Sequence, residues 1–165
     1  VYTEVDGDEA PELDAWLALA EAHGADADDI RVYEGEAALR EARRLRHAIP
    51  ATMNERGAQR RPFGGRKVST DWAVPYRRLG EALAHARAEI AARGLTQPVT
   101  YGHAGNGHPH QNFIAHDREE LERITAAVDA TLRHVIALGG SVAGEHGIGK
   151  LKARPERMLG PRDAL

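Results

Sequence analysis

The chain has 165 residues, 42% of them apolar, and sets 22 Lys and Arg against 25 Asp and Glu for a formal charge of −3. That is enough chain to bury the core of one domain, and the charge balance offers nothing basic enough to select nucleic acid. No apolar run approaches the ~20 residues that a membrane-spanning helix needs, and the lack of cysteine excludes disulfides and thiolate metal sites.

In chain order, Val1-Tyr2-Thr3-Glu4-Val5 alternates as a strand does. The chain starts inside that pattern without an initiator Met, as expected of a piece excised from a larger protein. Asp8 is placed to cap a helix with Leu13, Trp16, Leu17 and Ala20 on its apolar face, closed by Gly24. A short strand is expected over 30–33. A helix follows over 37–54, with Leu39, Leu45 and Ile49 near one face and Pro50 expected to kink or shorten it. Its Arg40, Arg43, Arg44 and Arg46 read as a solvated face.

Residues 57–65, rich in Arg, Gly and Pro, read as a mobile loop, and 67–74 as a strand. Pro75 suits the first turn of a helix running to Arg93, with Leu79, Leu83, Ala86 and Ile90 inward and Gly94 ending it. Asp117 with Glu120 forms a capping-box-like start to a helix over 118–138. There Leu121, Ile124, Val128, Leu132 and Val135 recur at helical spacing, which is a core stripe. His23, His47, His85, His116 and His134 lie on or at the ends of helices and read as surface or capping groups.

The chemistry concentrates between these last two helices. Asn106-Gly107 separates two strand-like runs, 98–103 and 108–115, which is the signal for a hairpin with a two-residue type I′ turn. In that register His103 faces His110, and directly opposed residues have Cβ atoms roughly 4.5–5.5 Å apart. Two imidazoles so placed can grip one metal ion if a third ligand arrives, and Asn112 points to the same face. The third ligand is expected from Gly-Gly-Ser-Val-Ala-Gly-Glu-His-Gly-Ile-Gly-Lys (141–150 with two preceding glycines), where Glu145 and His146 stand side by side. A carboxylate with two His makes a three-ligand site with room for substrate or water. His146 would then be available to move protons, since its ordinary pKa lies near neutrality. The plainer reading is a Gly-rich turn carrying two exposed polar residues, and the pairing of His103 with His110 is what argues against it. The hairpin requires antiparallel pairing, so the fold class expected is α+β, with helices packed on an antiparallel sheet.

His-Ala-Gly-Asn-Gly-His-Pro-His (103–110) together with Gly-Glu-His-Gly-Ile-Gly (144–149) resembles the two signature motifs of the C-terminal domain of FAD-linked oxidases. This family includes flavin-dependent D-lactate dehydrogenase, D-2-hydroxyglutarate dehydrogenase and the FAD subunit of glycolate oxidase. The usual first motif is Gly-His-x-Gly-Asp-Gly-Asn-x-His; here Asn106 replaces the Asp and His108 replaces the Asn. The resemblance runs the length of the chain and implies ferredoxin-like βαβ elements. It also implies FAD bound mainly by a separate N-terminal domain, and the 165 residues are expected to be a fragment without that domain or the family's extreme C-terminus.

On that resemblance the expected activity is oxidation of a small D-2-hydroxy acid to a 2-oxo acid. His103, His110 and Glu145 would hold a divalent ion, Zn²⁺ first, with Mn²⁺ or Fe²⁺ also suited to N/O ligands. Leu45-Arg46-His47-Ala48-Ile49 resembles the family segment whose Arg contacts the substrate carboxylate, and a guanidinium fork suits that task. A substrate-binding Lys is implied just before Asp71; Lys67 is the candidate, with Arg66 its rival. Asn112 would complete the clamp and His146 would take the hydroxyl proton. The electron acceptor is not legible. The expected location is the cytoplasm or, for the full-length enzyme, the membrane periphery.

Other readings compete. Two His and a carboxylate also suit a metal-dependent hydrolase, and a binding module could keep the geometry without turnover. Gly144–Lys150 matches part of a phosphate-binding loop, but Leu151 stands where a hydroxyl is needed and too little chain follows to build the parallel sheet.

Overall fold

A computed structural model describes residues 12–145. The expected strand at 1–5, the Asp8 cap and His146 lie outside the described residues. The chain divides into two compact units, Val1–Arg46 and His47–Leu165.

In the first unit, helix α1 (Leu13–Ala22) is followed by Gly24 at φ +82°, the left-handed stop expected there. Leu13, Trp16 and Leu19 of α1 are exposed. The expected strand at 30–33 finds no pairing partner among the described residues. Residues Ala27–Asp29 make a 3-10 turn capped by the Asp26 side chain, and residues 30–34 follow as irregular chain. A short alternating run does not become a strand until another strand supplies its hydrogen bonds.

Helix α2 (Gly35–Gln59) begins in this unit and continues through Pro50, so the proline does not shorten it. Proline costs a helix interior ~3 kcal/mol, but Ala, Leu, Arg, Glu and Met on both sides are strong helix formers. The second unit takes the end of α2. The expected loop over 57–65 is therefore mostly regular: helix to Gln59, a 3-10 turn at Arg61–Phe63, then Gly64 at φ +80° opening β1 (Gly64–Ser69). β1 ends earlier than expected, and only Ala73 of the following residues makes a bridge, to Ser141. A 3-10 turn at Tyr76–Arg78 leads into α3 (Leu79–Ala92).

Next come β2 (Val99–His103), β3 (His108–Asp117) and α4 (Arg118–Ala137). The capping expectation holds: the Asp117 carboxylate accepts from the Glu120 N–H at 2.8 Å, and Glu120 accepts from the His116 N–H at 2.8 Å. The sheet order is β1-β3-β2 with both pairings antiparallel. β1 and β2 therefore run parallel on either side of β3 with α3 between them in sequence, a split βαβ arrangement, and the α+β class is as expected.

The pleat divides the sheet into two chemically different faces. Val68, Phe113 and Ala115 turn to one face and pack with Ile90, Leu95, Leu121, Ile124 and Ala127 from and beside α3 and α4. A second cluster around Trp72, with Val74, Ala82, Leu132, Val135 and Val142, seals the ends of those helices. The opposite face carries Lys67 and Ser69 of β1, Tyr101 and His103 of β2, and His108, His110 and Asn112 of β3.

Candidate metal centre

The hairpin forms, but not with a two-residue turn. Type I′ geometry needs positive φ at both central residues, and no described residue other than glycine has it; Gly107 does, at φ +64°. Ala104–Asn106 instead make a 3-10 turn that Gly107 closes, its N–H donating to the Ala104 carbonyl at 3.0 Å. The connection is four residues long, and the register moves by two. His103 therefore pairs with His108, and Tyr101 with His110, correcting the expected His103–His110 pair.

Because the shift is an even number of residues, every side chain keeps its face. His103, His108 and His110 emerge on the same side of the sheet, and His103 and His110 still approach, ring centroids 6.0 Å apart. Gly102 makes the register possible: a Cβ there would lie 2.8 Å from Pro109 Cα and closer still to the His108 carbonyl.

Glu145 arrives from beyond α4. Its carboxylate lies 3.2 Å from His103 Nε2, 3.7 Å from His108 Nδ1 and 4.0 Å from His110 Nε2. One donor atom from each of His103, His108, His110 and Glu145 can be chosen so that all lie within 4.8 Å of one another. Two donors on bonds of ~2.1 Å around a tetrahedral ion are roughly 3.4 Å apart. The set thus fits a divalent cation after contraction by about an ångström, and three nitrogens with one carboxylate oxygen suit Zn²⁺, Mn²⁺ or Fe²⁺.

Asp71 ties this cluster to the core, and it is the residue that the sequence did not single out. It sits 37 positions before His108, just past the end of β1, and its carboxylate lies 2.8 Å from His108 Nε2 with both side chains buried. The Glu145 N–H donates to both carboxylate oxygens at 3.3 and 3.4 Å, and the Gly144 N–H donates to the Asp71 carbonyl at 2.6 Å. Burial and the nearby His108 ring hold the His110 pKa below its ordinary value, opposed by a backbone hydrogen bond at Thr70 and by Asp71 and Glu145.

The other expected residues are distributed unevenly. Asn112 is buried on the same face as His110, its Oδ1 accepting from the Ser69 hydroxyl at 2.8 Å. Lys67 is opposite Ile114 on that face and donates to Asn54 Oδ1 at 2.8 Å, with its pKa lowered by burial. Arg66 pairs with Ala115 and so turns to the α4 side. Arg46 is the last residue of the first unit, exposed on α2. A cavity of about 380 Å³ has Asn112 in its lining together with Arg56, Arg60 and Gln97. Of the five remaining histidines, His116 bonds Glu120 at 2.7 Å, and His85 and His134 stack on one another at 4.0 Å.

The chain matches the family of FAD linked oxidases, C-terminal domain, over residues 1–164, and it belongs to that family. It is 32% identical over 88 residues to a probable mitochondrial D-lactate dehydrogenase of Danio rerio, covering 52% of this chain and 18% of that protein. It is 34% identical over 88 residues to glycolate oxidase subunit GlcD of Bacillus subtilis, with the same 52% and 18% covered. A D-lactate dehydrogenase of Archaeoglobus fulgidus is 33% identical over 91 residues, 55% of this chain and 20% of that one. The matched stretch is thus a fifth or less of each of these relatives. No helix among the described residues is long and apolar enough to cross a membrane.

Proposed function

We propose that this chain is the substrate- and metal-binding part of an FAD-dependent dehydrogenase for a small 2-hydroxy acid of the D-lactate, glycolate or D-2-hydroxyglutarate type. The supporting observation is the convergence of His103, His110 and Glu145 in a chain of this family. A divalent cation, Zn²⁺ first and Mn²⁺ or Fe²⁺ next, supplies Lewis acidity toward the substrate's oxygens when bound. Flavin, held mainly by a separate domain of the same protein, supplies the hydride acceptor.

The chain's own residues do the rest. His103, His110 and Glu145 hold the cation. The Asn112 amide and the Lys67 ammonium, on the same sheet face, offer donors to the substrate carboxylate. Arg46 is kept as a further carboxylate contact on the resemblance of its segment alone. His146 accepts the hydroxyl proton, which lets the alcohol carbon give up hydride and become the 2-oxo carbon.

The test uses the complete flavoprotein. Adding a D-2-hydroxy acid without oxygen should bleach the flavin absorbance, and His146→Ala should abolish bleaching while metal content stays near wild type. Reduction at near wild-type rate in that variant would remove His146 from the role. Ester or amide cleavage without flavin would replace the oxidoreductase reading by a hydrolase.

A further inference from the structure

We infer that His108 is a fourth protein ligand to the cation, bound through Nδ1, and that Asp71 is the positioning residue that turns it there. The inference rests on the metal site proposed above and concerns a position where the usual family motif has Asn.

The hydrogen bond sets the tautomer. An ionised carboxylate only accepts, so the 2.8 Å contact between Asp71 Oδ1 and His108 Nε2 puts the ring proton on Nε2. The lone pair is then on Nδ1, the atom 3.7 Å from Glu145 Oε1 and so on the side of the other donors. This is the arrangement by which a carboxylate behind a ligating imidazole orients the ring and raises its basicity. A purely structural Asp–His pair would not need its second nitrogen within reach of three other potential ligands.

The surroundings leave the ring little choice. His108 is 4% exposed. It lies against Gly144, where a Cβ would come 2.5 Å from Cε1 and 2.7 Å from Cδ2. The same Asp71 receives the backbone N–H of Glu145. One buried carboxylate therefore orients His108 and sets the position of Glu145, which makes the fourth ligand part of the same framework as the third.

The chemical consequence is a fuller shell. Three nitrogens and one oxygen would hold the ion, and the oxygens of a 2-hydroxy acid would add to that set of four protein donors.

The test uses the full chain, stripped of metal and loaded with Co²⁺ as the probe. A ligating His108 gives a strongly paramagnetically shifted, solvent-exchangeable imidazole N–H resonance in the proton spectrum. It should be the slowest of its kind to exchange, because that proton is buried against Asp71. His108→Asn should remove the resonance and weaken Co²⁺ binding at least ~10-fold. Asp71→Asn should weaken binding ~10–100-fold, the range for lost outer partners of metal ligands, and shift the same resonance, with partial recovery in Asp71→Glu. Co²⁺ bound without that slowly exchanging resonance, and with an affinity that His108→Asn leaves unchanged, would overturn the fourth ligand while leaving the site of His103, His110 and Glu145 standing. Failure to bind Co²⁺ at all would overturn both.

Discussion

Gly144→Ala tests the geometry of the cluster without touching a ligand. An added Cβ would lie 2.5 Å from His108 Cε1 and 2.7 Å from Cδ2, and nearer still to Nε2. Carbon pairs sit best at about 3.5–4.0 Å, so the overlap is roughly an ångström. The ring cannot turn away freely, since its Nε2 is bonded to the buried Asp71. Residue 144 cannot withdraw freely either, since its N–H donates to the Asp71 carbonyl at 2.6 Å. Overpacking of this kind costs typically 1–3 kcal/mol, and a lost hydrogen bond to a charged group about 1.5–3 kcal/mol. With partial relaxation, the sum expected is about 3 kcal/mol, or some 150-fold in the folding equilibrium at 1.36 kcal/mol per decade.

The assay is urea unfolding of the metal-free full chain, with Gly80→Ala as the control. Gly80 sits in α3 with nothing within 4 Å of an added Cβ, so that change should stabilise by ~0.5–1 kcal/mol. A Gly144→Ala protein within 0.5 kcal/mol of wild type would refute the packing of His108 against residue 144.

Gly107→Ala should destabilise at least as much, because φ is +64° and the added Cβ would strike the Val74 carbonyl; a melting temperature unchanged from wild type would contradict the observed turn. Asp117→Ala should cost ~1 kcal/mol through loss of the α4 cap, read by chemical denaturation, with Asp117→Asn or Asp117→Ser recovering most of it. The metal-free protein should lose stability as pH falls below 6.5. Burial holds the His110 pKa in the folded protein below the ordinary imidazole value of about 6.5, so the unfolded chain takes up that proton first and acid favours unfolding. His110→Gln should flatten this slope, and a slope identical to wild type would show that His110 is not its source. Zn²⁺ at ~100 times its Kd should stabilise wild type by ~2.7 kcal/mol, and Glu145→Ala should remove most of that gain; equal stabilisation in the variant would place the ion elsewhere.

The sequence by itself determined a good deal. The stripes of α3 and α4, the Asp117 cap, the hairpin near Gly107 and the α+β class all rest on contacts within a few residues, where periodicity and turn chemistry suffice. The two signature motifs likewise placed the chain in its family. Fine geometry was another matter. Asn106-Gly107 satisfies the pattern of a two-residue turn, yet the register depends on which backbone conformations residues 104–107 adopt together once Gly102 lets Pro109 approach. The core face of the sheet admitted a shift by two but not by one, which is why the histidines stayed on one side although their pairing changed.

Elsewhere, only tertiary packing could decide. Pro50 reads locally as a kink or an early end, yet α2 continues past it to Gln59. The 30–33 stretch reads as a strand, but no described neighbour pairs with it. Asp71 bears no local mark of its role, because its partners His108 and Glu145 stand 37 and 74 residues further along the chain. Such a contact exists only after β1 has docked on β3 and the segment beyond α4 has returned to the hairpin. A burial that joins three separate stretches leaves no periodic trace in any of them.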